Sequence, residues 1–121
     1  MLTFPGTVRI FICRSPVDMR KSYTGLSGCV QQVLKLDPLS GHLFVFFNRR
    51  RSQVKILLWD RTGYCIYGKK LEQGKFSYQE MDTNKALSMP ELLLILEGID
   101  LGGAVYRKRY SLPEQANAVH A

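Results

Sequence analysis

The chain has 121 residues, room for one domain of common size but hardly for two. At 45% hydrophobic and 22% charged residues it is globular in composition rather than disordered, and a chain of this length buries roughly two thirds of its unfolded surface without needing staples. A net charge of +7 points to a polyanionic partner, nucleic acid before an anionic membrane, because no basic amphipathic helix is visible.

The first residues, MLTFPGTVRIFICRSP, lack a basic stretch before an apolar core and a small-residue cleavage site, so they do not read as a signal peptide. No apolar run approaches the roughly 18 residues of a membrane span. The expectation is a cytoplasmic protein with no membrane contact. Three widely spaced cysteines, Cys13, Cys29 and Cys65, each in an apolar stretch, are expected to be reduced and buried.

In chain order, Val8 to Cys13 alternates as a strand, with Val8, Ile10 and Ile12 on one side and Arg9, Phe11 and Cys13 on the other. Leu26, Cys29, Val30, Val33 and Leu34 then fall on one helix face, and Asp37-Pro38 is expected to stop that helix. Gly25 and Gly28 cost it about 1 kcal/mol each relative to alanine unless they permit a close contact. Leu43 to Phe47 is apolar on both faces, as in a central strand covered on both sides. Asn48 to Gln53 is a basic loop, and Val54 to Asp60 and Tyr64 to Leu71 are two further strands. Lys75 to Tyr78 is a candidate short strand.

Ser88 as N-cap and Glu91 form a capping box that opens a second helix, whose body, Leu92 to Ile99, should be well buried; Gly98 or Gly102 ends it. Residues 104–121 are weakly patterned, carry the basic cluster Arg107, Lys108, Arg109, and are expected to form a flexible tail beyond a single domain of residues 1–103. The fold class is α+β: one domain with a mostly antiparallel sheet of four to five strands and two packed helices.

Residues 49–75 hold eight Lys/Arg against two acids, +6 of the chain's +7. If Asp60-Arg61-Thr62-Gly63-Tyr64 is a three-residue hairpin loop with Gly63 left-handed, Asp60 pairs with Tyr64, Trp59 with Cys65 and Lys55 with Lys69. One face would then carry Ile56, Leu58 and Ile66, and the other Lys55, Lys69, Leu57, Tyr67, Trp59 and Cys65. Two lysines opposite one another repel unless an anion or solvent separates them. Cations neutralise phosphates and aromatic rings stack on unpaired bases, so the second face suits nucleic acid. The competing reading makes Trp59 and Tyr67 the cover beneath a helix and the cations a solvated surface.

Catalytic readings find little support. Asp60 at a strand end invites a divalent-metal nuclease site, but Asp18, Asp37, Asp82 and Asp100 are all explained by turns and linkers. His42 and His120 with these cysteines give no zinc spacing, and Gly25-x-x-Gly28 lacks the Lys-Ser/Thr of a phosphate loop. No elbow or oxyanion motif accompanies His42. A binding protein is expected, with no catalytic residue, metal site or cofactor.

VDMRKSYTGL (17–26), LDPLSGHLFVFFNRRRSQVKILLWD (36–60), GYCIYGKKLEQGKF (63–76) and LLLILEGID (92–100) resemble the accessory protein (TnpB, the second-reading-frame protein) of insertion-sequence-66-type transposable elements. The blocks match in order over about residues 7–100. The family's DMRK block falls on Asp18 to Lys21, its SGHLFVF block on Ser40 to Phe46, its basic loop on Arg49 to Arg51, its KILxWD block on Lys55 to Asp60 and its KRLE-like block on Lys69 to Glu72. Ser22 stands where glycine is usual, and Gly68 where an aromatic is usual, which thins the stacking face. The resemblance implies a bacterial mobile-element protein that works beside a separate transposase carrying the catalytic carboxylates.

Together these features predict a non-enzymatic accessory factor for transposition that binds DNA through Arg20, Lys21, Arg49, Arg50, Arg51, Lys55, Trp59, Tyr67, Lys69, Lys70 and Lys75. The alternative is a module that docks the element's transposase through its second helix and touches no DNA. A divalent-metal nuclease is the third reading.

Overall fold

The computed structural model describes residues 7–77 and 86–98. Four strands form one mixed sheet in the order β1 (Ile10–Ile12), β2 (Leu43–Phe47), β3 (Gln53–Asp60), β4 (Gly63–Lys70). β1 runs parallel to β2, with Ile10 opposite Leu43, and the other two pairings are antiparallel. The parallel pair requires a crossover, supplied by α1 (Tyr23–Cys29) and a π-helical turn over Val30–Leu34. The second helix, α2 (Met89–Leu96), lies on the opposite face. The expected α+β domain is what forms, with the sheet as its middle layer.

The period-2 alternation sorts two cores. Ile10, Ile12, Leu43, Val45, Phe47, Val54, Ile56 and Leu58 pack with Leu92 and Ile95 of α2. Phe11, Cys13, Phe44, Phe46 and Leu57 pack on the other side with Leu26, Val30 and Leu34 of the crossover helix. Every residue of β2 is therefore buried, as a strand apolar on both faces requires. At about 1.5–3 kcal/mol per buried large apolar side chain, β2 is the strand the fold can least lose.

The crossover helix departs from the 3.6-residue pattern. Leu26, Val30 and Leu34 are buried, but Val33 is half exposed. The π turn adds a residue per turn and rotates Val33 out of the apolar stripe. The helix stops at Lys35, which is left-handed (φ 58°), before Asp37-Pro38 is reached; the Asp37 carboxylate instead accepts the Leu39 N–H within the following turn. Gly28 has open space where a side chain would stand, so no close contact calls for it.

α2 is capped as its sequence prescribes. The Ser88 hydroxyl accepts the Glu91 N–H, the Glu91 carboxylate accepts the Ser88 N–H, and Gly98 (φ 82°) closes the helix through its N–H to the Ile95 carbonyl. Its burial is one-sided, however: Leu92 and Ile95 face the sheet, while Leu93 is 54% and Leu94 37% exposed. Lys75–Ser77 is not a strand. Phe76 is nonetheless buried, and its N–H donates to the Arg51 carbonyl at 2.7 Å. Tyr78, the 1–103 boundary and the expected tail lie outside the described residues. All three cysteines are free, but only Cys13 is buried; Cys29 is half-buried and Cys65 lies exposed on β4.

The hairpin register differs by one residue from the expected one. Asp60 pairs with Gly63, Trp59 with Tyr64, Leu58 with Cys65, Ile56 with Tyr67, Lys55 with Gly68 and Val54 with Lys69. The loop is two residues, Arg61-Thr62, and Arg61 rather than Gly63 takes the left-handed conformation (φ 51°). A two-residue loop matches the right-handed twist of the strands it joins. Because side chains alternate, the one-residue slip exchanges the two faces of β4 relative to β3.

Candidate nucleic-acid interface

The slip decides what the basic surface can be. Lys55, Leu57 and Trp59 share the α1 face with Tyr64 and Ile66, whereas Lys69, Tyr67 and Cys65 share the α2 face with Val54, Ile56 and Leu58. The expected single face combining Lys55, Lys69, Trp59 and Tyr67 therefore does not form. Lys55 is opposite Gly68, and the two lysines lie on opposite sides of the sheet.

Both lysines are engaged with backbone. Lys55 Nζ donates to the Lys21 carbonyl at 2.8 Å, tying β3 to the segment that leads into α1. Lys69 Nζ donates to the Leu96 carbonyl at 2.8 Å, at the C-terminal end of α2, where helix carbonyls carry partial negative charge. The aromatics are engaged too. Trp59 meets Tyr64 edge to face, with ring centroids 5.0 Å apart, and stands six residues along β3 from Gln53, about 20 Å from the basic loop at strand spacing. Tyr67, half exposed, lines an apolar groove of about 430 Å³ with Ile56, Leu58, Leu92, Leu93 and Leu96.

The cations converge elsewhere, at the end of the sheet where β1 and β2 finish, β3 begins and β4 ends. Residues 48–52 connect β2 to β3 there. The Asn48 side-chain oxygen accepts the N–H groups of Ser52 and Gln53 at 2.9 and 3.1 Å, and its amide donates to the Ser52 hydroxyl at 3.0 Å. The Arg51 N–H closes a turn onto the Asn48 carbonyl, and Arg51 is left-handed (φ 56°). This internal bonding holds the loop from within. It leaves Arg49 and Arg50 at its exposed tip, with no hydrogen bond or ion pair among the described residues.

The segment after β1 comes alongside this loop because β1 pairs with β2: Cys13 N–H donates to Val45 O at 2.8 Å and Val17 N–H to Phe47 O at 2.9 Å. Residues 16–20 and 48–50, with Gln53, enclose an open depression of about 650 Å³. Arg20, Arg49 and Arg50 all line it, as does Asp18. Arg20 is bound to Asp18: Nη2 is 2.7 Å and Nε 3.1 Å from the carboxylate, which also accepts the Arg20 N–H at 2.8 Å. These bonds hold the Asp18 carboxyl down at about 2, and the carboxylate raises the Arg20 guanidinium in turn. Lys70, exposed and paired with Gln53, and Lys75, in the segment held by Phe76, extend the charge around this end.

Of the expected residues, the fold thus gathers Arg20, Arg49, Arg50, Arg51, Lys70 and Lys75 at one end. It ties the ammonium groups of Lys55 and Lys69 to backbone carbonyls, that of Lys55 to Lys21, whose own side chain is exposed, and sends Trp59 and Tyr67 to separate faces. The sequence groups Arg20 with Arg49 to Arg51 by charge, but the depression that joins them, with Asp18 in it, depends on a parallel pairing that no local pattern announces. Among the described residues no three His, Cys, Asp or Glu side chains gather into a metal-binding group. None of their helices is long and apolar enough to cross a membrane. Burial pushes the Cys13 thiol above its usual range.

Comparison with known proteins gives a family. The family described as "IS66 Orf2 like protein" matches residues 8–105. Two curated relatives come from Sinorhizobium fredii (strain NBRC 101917 / NGR234). The uncharacterized protein y4hO is 39% identical over 101 residues, covering 83% of this chain and 88% of the relative. The uncharacterized protein y4jC is 34% identical over 94 residues, covering 77% and 80%. No solved structure matches.

Proposed function

Because the chain belongs to the IS66 Orf2-like family, whose members stand in a transposition-associated accessory role, we propose that it serves transposition by binding DNA through the loop end of its sheet. The observation that carries this reading is the convergence of two segments, 16–20 and 48–50, on one open depression with unengaged arginines on its rim. The phosphate backbone is the natural ligand, since guanidinium groups on short loops neutralise phosphates and release counterions without reading sequence. The catalytic carboxylates of transposition would belong to a separate transposase, and this protein would work without a cofactor in the bacterial cytoplasm.

The test is duplex binding at several salt concentrations. Changing Arg49 and Arg50 together to alanine is expected to lower the salt slope by about 2, one unit for each lost phosphate contact. An unchanged affinity and slope would remove this site from consideration.

A second reading rests on a different observation. The groove between α2 and β4 is apolar, and Leu93 of α2, which lines it, is exposed. Such a surface suits docking of the element's transposase. Retention of the transposase by this protein in nuclease-treated extract, lost on Leu93→Asp, would favour docking over DNA contact.

A further inference from the structure

The depression holds one carboxylate among its three arginines, and its placement is informative. Asp18 takes the Nε–Nη2 edge of Arg20, with its two oxygens 3.1 Å from Nε and one of them 2.7 Å from Nη2. That edge is one of those by which an arginine binds a phosphate through two parallel hydrogen bonds. Asp18 therefore occupies, with an oxyanion of its own chain, a position that an incoming phosphate could take, and it neutralises the guanidinium as it does so.

Resting on the DNA-binding reading above, we infer that Asp18 is an internal phosphate mimic that withholds Arg20 until a polyanion displaces it. A single small anion meets only Arg49 and Arg50, because Asp18 neutralises the third cation. A phosphodiester chain is different. Phosphates held by Arg49 and Arg50 bring a neighbouring phosphate to the same depression, where it exchanges with the Asp18 carboxylate on Arg20. The site thereby selects for repeated charge over isolated charge. The exchange is open to solvent: the Arg20 side chain is 92% exposed, so the pair can part without opening the core. The Asp18 oxygen that accepts the Arg20 N–H keeps the loop in shape, and an amide oxygen can do the same.

The experiment is a double-mutant cycle on the full chain with Asp18→Asn, Arg20→Ala and both together. Each protein is titrated with duplex DNA and, separately, with inorganic phosphate. Asp18→Asn is expected to tighten phosphate binding by more than the roughly fivefold that removing one unit charge at about 4 Å in water gives, because it also frees the Nε–Nη2 edge of Arg20. It should tighten duplex binding less, because the duplex already displaces the carboxylate. In the Arg20→Ala background the Asp18→Asn gain should fall to about that fivefold, because only the repulsion of the carboxylate is then removed. A gain of the same size with and without Arg20 would mean that Asp18 acts only as a repulsive charge, and would overturn the inference. So would equal gains for phosphate and duplex. Nitrogen-15 NMR of Arg20 Nε follows the exchange directly, and a signal unmoved at saturating duplex would also overturn it. Failure of the wild-type chain to bind duplex at low salt would instead defeat the DNA-binding reading, and the phosphate titration would still decide whether Asp18 masks Arg20.

Discussion

The β3–β4 hairpin and the loop end of the sheet are both rich in cations, and they use them differently. In the hairpin, Lys55 and Lys69 reach across to backbone carbonyls and tie the sheet to the segment that leads into α1 and to the end of α2. At the loop end, Asn48 and the left-handed Arg51 build the turn from within, so Arg49 and Arg50 hold nothing together. Positive charge density alone therefore does not locate a binding surface. What distinguishes the two regions is whether the donors already have acceptors.

The comparison breaks most readily if Arg49→Ala/Arg50→Ala is stable and binding-competent. We expect it to lose duplex affinity by on the order of tenfold to a hundredfold at 0.1 M salt. Thermal unfolding should stay within about 0.5 kcal/mol of wild type. Lys69→Met should give the reverse result: duplex binding nearly unchanged, and stability in urea lower by about 0.3–1 kcal/mol, because the C-terminal end of α2 loses its cation. If Lys69→Met instead matched the arginine pair in its effect on DNA, the division between the regions would be wrong.

A smaller effect sharpens the register on which that division rests. Arg61 is left-handed in the two-residue loop, so Arg61→Gly should stabilise the hairpin by about 0.5–1 kcal/mol in urea melts, relieving a conformation that costs a side-chain-bearing residue about 1–2 kcal/mol. Had Gly63 held that position, the same change would destabilise. The smallest effect is on pH dependence. Asp18 is held at about 2 in the folded chain, below its unfolded value, so its contribution is present above about pH 4 and is lost as pH falls through about 2. Carboxyl NMR should show that midpoint, and Asp18→Asn should flatten the stability profile only in that acid window.

Local signals were legible in the sequence, and those set by pairing at a distance were not. The Ser88–Glu91 box and the all-apolar β2 were readable because both depend on neighbours in the chain. The hairpin register was misjudged because glycine at 63 is a better left-handed residue than arginine at 61, yet the strand twist favours the shorter loop. Val33 was misplaced because a π turn cannot be seen in a 3.6-residue period. The basic loop and the membership of Arg20 beside it were readable from charge, but the depression they share with Asp18 was not. That depression follows from pairing Ile10 with Leu43, across the whole crossover helix.

That parallel pairing also bears on the order of assembly. β2, β3 and β4 are joined by short connections and can meet early, whereas β1 must close a loop of some thirty residues before it gains any contact. Substitutions in Phe46 should therefore slow folding, while those in Ile12 should mainly speed unfolding. The strand that brings Asp18 and Arg20 to the arginine loop would be the last to arrive and the first to leave, so the depression exists only in the finished molecule.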